Sequence, residues 1–352
     1  MEKVRLIIDG KKVTTDASKT IMEAAKEAGI RIPALCNEQR MEPYGACRIC
    51  LVQVEGARAL LPSCYTKVDD GMVVHTETEQ LRRIRRTIIE LLLSDHPQDC
   101  MTCESNGRCE LQDLAYEYGV KEARFQGERH HYQLLADNPL IERDYDKCVL
   151  CGRCIRICRE VQGVGVYDFV NRGFNAVPGT PYDKPLQDTP CEFCGQCVST
   201  CPTGAITSIP SKGRGRDWQV EKVRTTCPYC GCGCQLDLHV RDGKIVEVSS
   251  PVMVGPGQGN LCVKGRYGYS FVNHEERLTA PLIKRDGRFK KATWNEALGM
   301  VADRISRAMD DAGPDSVAFL SSARCTNEEN YLLQKLARAV VGTNNVDHCA
   351  RL

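Results

Sequence analysis

The sequence predicts an α+β protein made of several small domains, and three observations support that prediction. The chain has 352 residues, and at roughly 150 residues per domain this length indicates more than one domain. It contains 22 cysteines, most of them in short, regularly spaced groups. Its strand and helix patterns also change along the chain, from small strands with one helix to an alternating α/β pattern.

The first 80 residues predict a β-grasp-like module. Val4, Leu6 and Ile8 alternate with polar residues and lead into the turn pair Asp9-Gly10, which indicates a hairpin. The predicted elements are a hairpin over 4–14, a helix over 20–29, and strands over 51–54 and 72–75.

A longer helix is predicted over 77–94, because Leu81, Ile84 and Ile88 recur at helical spacing. Its Arg82–Arg86 segment is interpreted as a solvated helix face, with a phosphate site as the alternative.

The second half of the chain changes character twice. Four prolines over 178–190 indicate a surface insertion, and the segment SKGRGR over 211–216 indicates a linker. A strand pair is predicted around Asp242-Gly243. Beyond residue 278 the pattern predicts a helix over 295–310, a strand over 316–320 and a helix over 327–341. One strand and two helices cannot cover both faces of a parallel sheet, so we expect an incomplete α/β domain.

Composition excludes several classes of function. The net charge is +1, which removes the electrostatic argument for binding nucleic acid. Charges interrupt every apolar run well before the roughly 18 residues that a transmembrane helix needs. The N-terminus MEKVRLIIDG contains no signal sequence, so we expect a cytoplasmic protein. Cysteines in a reducing compartment are typically metal ligands or reactive thiols rather than disulfides.

The first cysteine group has the spacing C-x10-C-x2-C-x13-C. Its members are Cys36, Cys47, Cys50 and Cys64. Four thiolates can hold two irons, so the group predicts a 2Fe–2S cluster. Zinc is the alternative, and the unequal spacing and the β-grasp context disfavour it.

The second group has the spacing H-x3-C-x2-C-x5-C and follows the long helix. Its members are His96, Cys100, Cys103 and Cys109. One imidazole and three thiolates suit either zinc or a 4Fe–4S cluster, and the residue types alone do not separate these.

The third and fourth groups repeat the run C-x2-C-x2-C-x3-C. Their members are Cys148, Cys151, Cys154 and Cys158, then Cys191, Cys194, Cys197 and Cys201 followed by Pro202. In this ferredoxin run the fourth cysteine ligates the other cluster. We therefore assign Cys201 to the 4Fe–4S cluster of the first run and Cys158 to that of the second.

The fifth group has the spacing C-x2-C-x3-C-x27-C and predicts another 4Fe–4S cluster. Its members are Cys227, Cys230, Cys234 and Cys262. Cys232 competes with Cys234, but two ligands separated by one residue would be strained on one cubane. Lys264 follows Cys262 closely and is a candidate cation beside this cluster, with an ordinary surface lysine as the alternative. The remaining Cys325 and Cys349 are expected to behave as small buried apolar residues.

Five clusters in one chain predict an α+β multidomain iron–sulfur protein that conducts electrons. The first four groups together resemble the N-terminal half of the large subunit of iron-only hydrogenases, and the first two also resemble the large peripheral-arm subunit of complex I. The fifth group, with NLCVKGRYGYSFVNHEERLTAPLI and WNEAL, resembles the start of molybdopterin oxidoreductases. The last stretch, NEENYLLQKLARAVVGTNNVDHCARL, is most similar to formate dehydrogenase catalytic subunits. The whole chain thus resembles the N-terminal part of an NAD(P)-linked or electron-bifurcating formate dehydrogenase alpha subunit.

This resemblance implies five domains. They are a β-grasp 2Fe–2S domain over 1–78, a His/Cys3 4Fe–4S domain over 79–120, a two-cluster ferredoxin domain over 138–210, a molybdopterin oxidoreductase 4Fe–4S domain over 220–277, and the start of an α/β domain over 278–352. It also implies formate or CO2 as substrate, at a molybdenum or tungsten bis-pterin guanine dinucleotide centre built by residues beyond this sequence. Lys264 would lie between the pterin and the nearest cluster. The implied partners are flavin- and NAD(P)-binding iron–sulfur subunits or ferredoxin.

The family pattern places the catalytic selenocysteine or cysteine directly after the stretch Cys349-Ala350-Arg351-Leu352. We therefore expect the coding sequence to continue past Leu352 through a UGA codon that is read as selenocysteine. A stand-alone iron–sulfur relay subunit is the alternative from another class. An iron-only hydrogenase and a complex I-like subunit are disfavoured, because the fifth group replaces the hydrogenase cluster motif and complex I would lack the paired ferredoxin run. Ser321, Ser322 and Arg324 are candidate pterin-phosphate contacts, or an ordinary polar turn.

Overall fold

The structure is a computed structural model that describes residues 2–349. The first domain contains a five-stranded sheet. In spatial order its strands are Lys11–Asp16, Lys3–Ile8, Val73–His75, Leu51–Val54 and Leu61–Pro62. The predicted hairpin forms, because Asp9 and Gly10 both adopt positive φ, as a tight hairpin turn requires. The predicted helix runs over Ile21–Glu27, and Thr20 and Glu23 form a capping box at its start.

The core of this domain includes two of the predicted ligands. Ile8, Ile21 and Val74 are fully buried, and Cys50 and Cys64 pack in the same cluster. The apolar faces of the sheet and the helix therefore enclose one side of the first cysteine group.

Two helices build the next domain, over Glu79–Ser94 and Glu110–Glu117. Leu81 and Ile89 are fully buried on the first helix, as its periodicity predicts. The interpretation of its arginines as a solvated face is wrong for Arg85, whose side chain is completely buried. Arg82 and Arg86 remain about half exposed and pair with Glu77 and Glu90.

The ferredoxin-type region contains two small antiparallel sheets and two short helices. The strands are Ile141–Arg143 paired with Ile206–Ser208, and Asp168–Val170 paired with Val177–Gly179. The helices are Arg153–Arg156, which continues as a π-helical turn over Ile157–Val161, and Gln196–Thr200. The segment 178–190 is more than a surface insertion, because Leu186 is fully buried and Thr180 nearly so.

A three-stranded antiparallel sheet follows, with the strands Glu221–Thr226, Gln235–Arg241 and Lys244–Ser249. The predicted turn at Asp242-Gly243 joins the last two, and the helix Val263–Tyr267 packs against the sheet edge. The expected linker over 211–216 is anchored at both ends. Ser211 is buried, and the Arg216 guanidinium donates to the carbonyl oxygens of Met101 and Cys103.

The last region has alternating α and β elements, as expected. They are the hairpin Leu282–Arg285 and Arg288–Lys291, the helix Trp294–Ala312, the strand Phe319–Ser321, the helix Asn327–Lys335 with a π-helical end over Leu336–Val341, and the strand Val346–His348. The last strand was not predicted, because it is short and carries charged residues. It pairs in parallel with Phe319–Ser321. Trp294, Leu298 and Leu320 are 69%, 58% and 81% exposed, so the apolar faces here are uncovered in the described chain.

Several single-turn 3₁₀ helices connect these elements. They are Tyr145–Lys147, Gly173–Asn175, Pro181–Asp183, Leu186–Asp188, Asp217–Gln219, Ser270–Asn273 and Pro314–Ser316. Within residues 2–349 no helix is both long and apolar enough to cross a membrane. Residues 350–352 of the predicted pre-catalytic stretch lie outside the described residues.

Candidate iron–sulfur centres

Two cavities in the ferredoxin-type region each gather four cysteines. Cavity 1 is bordered by Cys148, Cys151, Cys154 and Cys201. Cavity 2 is bordered by Cys158, Cys191, Cys194 and Cys197. Each cavity therefore combines three cysteines of one run with the fourth cysteine of the other run. This is the grouping that the repeated spacing predicts, although binding of iron by these thiols stays a prediction.

The loops around the two cavities have matching backbone conformations. Leu150 and Phe193 both have positive φ, and the glycines that follow, Gly152 and Gly195, begin the two short helices in the same left-handed region. These turns direct the backbone N–H groups of Leu150 and Phe193 toward the sulfurs of the cysteines two residues earlier, at 3.4 Å in each loop. Residues with side chains in this conformation are strained, and such strain clusters at functional sites.

The thiols of cavity 1 lie in surroundings that disfavour a free thiolate. Burial raises the pKa of Cys148 to about 12. Burial also raises the pKa of Cys151 to about 12, with smaller contributions from the thiols of Cys201 and Cys36. A thiolate here needs a compensating positive charge, which iron supplies when a cluster is bound. The donor set and its burial therefore suit an iron–sulfur cluster.

The first group converges at the edge of the β-grasp sheet. The sulfurs of Cys50 and Cys64 lie 3.4 Å apart, and the backbone N–H of Cys47 points at the Cys36 sulfur at 3.4 Å. A hydrogen bond from the Cys47 thiol, followed by backbone N–H groups and a smaller effect of Arg156, lowers the pKa of Cys36 to about 5. This thiol is therefore predisposed to be a thiolate, the form that binds metal.

The second group lies where the long helix ends. His96 is buried, and its Nδ1 atom has no hydrogen-bond partner among the described residues. Buried polar atoms are normally satisfied, so this atom indicates a missing ligand. Burial, followed by the nearby Cys103 and Cys100 thiols, raises the pKa of Cys109, to about 11. The three cysteines are thus near neighbours, and the unpartnered imidazole nitrogen suits the role of a fourth donor.

Substitution of His96 tests this assignment. We expect His96→Ala to lose the second cluster, with a loss of about four irons per chain, because one of four ligands is removed. His96→Cys should keep the iron and change the midpoint potential, since a thiolate replaces a neutral nitrogen. Iron analysis and electron paramagnetic resonance (EPR) spectroscopy measure both results. Unchanged iron content and spectra in His96→Ala would show that His96 is no ligand.

The fifth group is the most exposed of the five. Cys227 is buried, whereas Cys230, Cys232 and Cys262 are exposed. The sulfurs of Cys232 and Cys234 lie 3.5 Å apart. The structure therefore brings the predicted ligands together but also keeps Cys232 beside Cys234, so the choice between them remains a prediction.

Other candidate residues have more ordinary surroundings. Lys264 is exposed on the helix that begins after Cys262. Cys325 and Cys349 are exposed, so the expectation that they are buried apolar residues is wrong. The Ser321 hydroxyl bonds to the Asn330 side chain, as in an ordinary polar turn. Across residues 2–349, no three or more His, Cys, Asp or Glu side chains are arranged to hold a single metal ion.

Contacts between the groups involve residues that the cysteine pattern did not single out. A Cβ atom on Gly204 would lie 2.7 Å from the Cys103 sulfur, so glycine lets the second group approach the loop after Cys201. The Arg156 guanidinium donates to the carbonyl oxygens of Cys36 and Glu42, at 2.5 and 2.6 Å. Their position beside cysteines was the only signal in the sequence, and it does not indicate which distant backbone they reach.

Comparison with known families gives the same order of domains. The matching family models are the 2Fe-2S iron-sulfur cluster binding domain over 1–79, the NADH-ubiquinone oxidoreductase-G iron-sulfur binding region over 85–124, the ferredoxin-like domain of NADH-quinone oxidoreductase subunit 3 over 138–207, the molybdopterin oxidoreductase Fe4S4 domain over 220–274, and molybdopterin oxidoreductase over 277–352. The chain belongs to the molybdopterin oxidoreductase family. It is an electron-transfer iron–sulfur subunit similar to the G-type subunits of NADH-quinone oxidoreductases, with 2Fe–2S and 4Fe–4S domains.

Similar proteins in this family carry different names. The chain is 42% identical to the NADPH-Fe(3+) oxidoreductase subunit alpha of Geobacter sulfurreducens over 99% of its length and 40% of that protein. It is 37% identical to the second G-type subunit of the NADH-quinone oxidoreductase of Rhizobium meliloti, over 99% and 40%. It is 28% identical to a putative formate dehydrogenase of Staphylococcus aureus, over 99% and 39%. The chain thus spans about two fifths of the length of these relatives.

A solved structure with a similar fold is the NAD+-reducing [NiFe]-hydrogenase in its H2-reduced state. The match has a TM-score of 0.56 and 30% identity, and it covers 60% of this chain and 88% of that chain. The expectation of an oxidoreductase subunit is therefore confirmed, while the expected formate specificity has support only from relatives of lower identity.

Proposed function

We propose that this molybdopterin oxidoreductase subunit relays single electrons between a molybdenum- or tungsten-pterin site for formate and CO2 and a flavin- and NAD(P)-binding partner subunit. The observation that carries this proposal is the unbroken series of contacts between the cysteine groups. The helix after Cys262 contacts the loop of Cys194, the two ferredoxin-type cavities share one hydrophobic core, and Arg156 joins that core to the Cys36 backbone. The two ends of the series lie in domains that match different family models.

The proposed ligands follow the groups described above. They are Cys36, Cys47, Cys50 and Cys64 for a 2Fe–2S cluster; His96, Cys100, Cys103 and Cys109; Cys148, Cys151, Cys154 and Cys201; Cys191, Cys194, Cys197 and Cys158; and Cys227, Cys230, Cys234 and Cys262 for four 4Fe–4S clusters. Clusters exchange one electron at a time, so this chain's residues serve to hold, insulate and space them.

The 2Fe–2S end is the proposed contact point for the partner subunit. A groove of about 850 Å³ reaches Cys64 and is bordered by Met22, Ile30 and Met41 from the first domain. The neighbouring Met253 is 53% exposed on the same groove. An open groove with apolar and charged walls beside a cluster offers a partner a short distance for electron transfer. We propose a cytoplasmic location for this complex.

A second candidate function is electron transfer from NAD(P)H to an acceptor such as ferric iron or quinone, without formate. It is favoured by the higher identity to the NADPH-Fe(3+) oxidoreductase and NADH-quinone oxidoreductase subunits, 42% and 37%, than to the putative formate dehydrogenase, 28%. The same relay would serve either substrate.

One experiment separates the two candidates. The complete gene product, purified anaerobically with its native partners, is mixed with formate or with NAD(P)H, and cluster reduction is followed by EPR. We expect both compounds to reduce the clusters and formate to reduce NAD(P)+. Reduction by NAD(P)H alone would favour the second candidate, and reduction by neither would refute the relay. Metal analysis of the same sample tests for molybdenum or tungsten.

A further inference from the structure

A buried guanidinium lies between the fifth cysteine group and cavity 2. Arg266 is on the helix that begins after Cys262, and only 5% of the residue is exposed. Its Nε donates to the Cys194 carbonyl at 2.8 Å, and a terminal nitrogen donates to the Gln196 side-chain carbonyl at 3.2 Å. Both acceptors are neutral. The positive charge of this side chain is therefore not offset by the groups that bind it.

Gln196 joins three domains at this point. It lies between Cys194 and Cys197 and is almost completely buried. Its amide nitrogen donates to the Leu261 carbonyl at 3.3 Å, while its carbonyl also accepts from Arg40 at 3.5 Å. Arg40 extends from the first domain and also donates to the Asn260 side chain at 2.9 Å. The loop of cavity 2 is thereby held against the segment that carries Cys262.

Close packing at this junction requires glycine. A Cβ atom on Gly195 would lie 2.3 Å from Cδ of Arg266 and 2.5 Å from the hydroxyl oxygen of Tyr267. Gly195 also has a φ of +68°, which side chains rarely adopt. The aliphatic stem of Arg266 therefore rests directly on the cysteine loop, and the charge cannot withdraw toward solvent without unpacking it.

We propose that Arg266 sets the redox potential at cavity 2 and positions its loop for electron exchange with the fifth group. A 4Fe–4S cluster gains one negative charge on reduction, and a fixed cation in a medium of low polarity stabilises that charge. The uncompensated guanidinium thus favours the reduced form at Cys158, Cys191, Cys194 and Cys197. This inference rests on the ligand set of the proposed function, and it holds for either substrate.

Arg153 offers a matched comparison beside cavity 1. It is also 5% exposed and lies directly before Cys154. Its guanidinium, however, forms two hydrogen bonds with the Glu110 carboxylate, at 2.6 and 2.8 Å. Because a carboxylate compensates this charge, and because it lies beside the other cavity, its removal should leave the potential at cavity 2 unchanged.

The test is an EPR-monitored redox titration of the complete, anaerobically purified protein with its partners. We expect Arg266→Gln to shift the equilibrium for reduction at cavity 2 about tenfold toward the oxidised form, about 59 mV for one electron. Arg266→Lys should recover most of this shift, and Arg153→Gln should leave the potential at cavity 2 unchanged. Gln196→Glu should shift the same equilibrium in the direction of Arg266→Gln, because it places a carboxylate beside the guanidinium. A Cys194→Ser variant identifies the signal.

The outcomes are distinct from those for the substrate. An unchanged potential at cavity 2 in Arg266→Gln, with full iron content, would refute the proposal even if formate or NAD(P)H still reduces the protein. Equal shifts at all clusters would refute it as well, because a specific neighbour should affect one cluster most. If Arg266→Gln loses iron, Gln196→Glu decides, since it retains the size of the side chain.

Discussion

Replacing Cys158 by serine is expected to abolish the cluster of the second cysteine run, although Cys158 belongs to the first run. Cys158 borders cavity 2 with Cys191, Cys194 and Cys197. The backbone N–H of Val166 points at the Cys158 sulfur at 3.3 Å and orients it into this group. Cys201→Ser is expected to have the reciprocal effect on cavity 1. Each variant should lose about four irons from a total of about 18 per chain.

The pairing of variants makes this prediction specific. Cys158→Ser and Cys194→Ser should lack the same EPR signal, and Cys201→Ser should share its missing signal with Cys151→Ser. Cys325→Ser is the control, because that cysteine is exposed and lies outside all five groups. If Cys158→Ser and Cys151→Ser lack the same signal, each run binds its own cluster and the exchange between runs is wrong.

Arg85→Ala is expected to lower the free energy of unfolding of the first two domains by about 3–5 kcal/mol, the usual cost of breaking a buried, hydrogen-bonded charge network. The side chain is fully buried and donates to the carbonyl oxygens of Ile49, Leu51 and Thr76, at 2.9 to 3.0 Å. It also pairs with Glu77 at 2.6 Å. Truncation leaves these acceptors in a low-dielectric interior without donors.

The same change should weaken the 2Fe–2S cluster, because Ile49 and Leu51 flank Cys50. Urea unfolding of the purified protein, followed by visible absorption of the cluster and by circular dichroism, measures both effects. Arg83→Ala is the control, since Arg83 is exposed on the same helix. A difference between the two variants below about 1 kcal/mol would contradict the structural role of Arg85, because typical surface substitutions change stability by about 0.5 kcal/mol or less.

Local sequence patterns predicted most secondary structure of the described chain. The Asp9-Gly10 hairpin, the capped helix after Thr20 and the helix ending at Ser94 depend on neighbouring residues, and they form where those patterns place them. The strand Val346–His348 was missed, because three residues with a central aspartate carry no strand periodicity. It forms by pairing with Phe319–Ser321, which is distant in sequence.

Predictions about burial were less successful where they depended on distant partners. Arg85 has the composition of a surface residue, and its burial depends on backbone carbonyls contributed by another domain. Cys325 and Cys349 were expected to be buried from residue type alone, and both are exposed. The segment 178–190 has a loop composition, yet Leu186 fills the ferredoxin-type core.

The sequence by itself determined the kind of chemistry, because ligand spacing is local and a ferredoxin run specifies its metal groups within a dozen residues. It also indicated the family, through motifs that can be read without a fold. Only the tertiary structure decided how the groups meet. Arg40 reaches Asn260, and Arg266 reaches Cys194, across 220 and 72 residues of chain. Such contacts carry no periodic signal, since a guanidinium binds whichever carbonyl or carboxylate the packed domains bring to it.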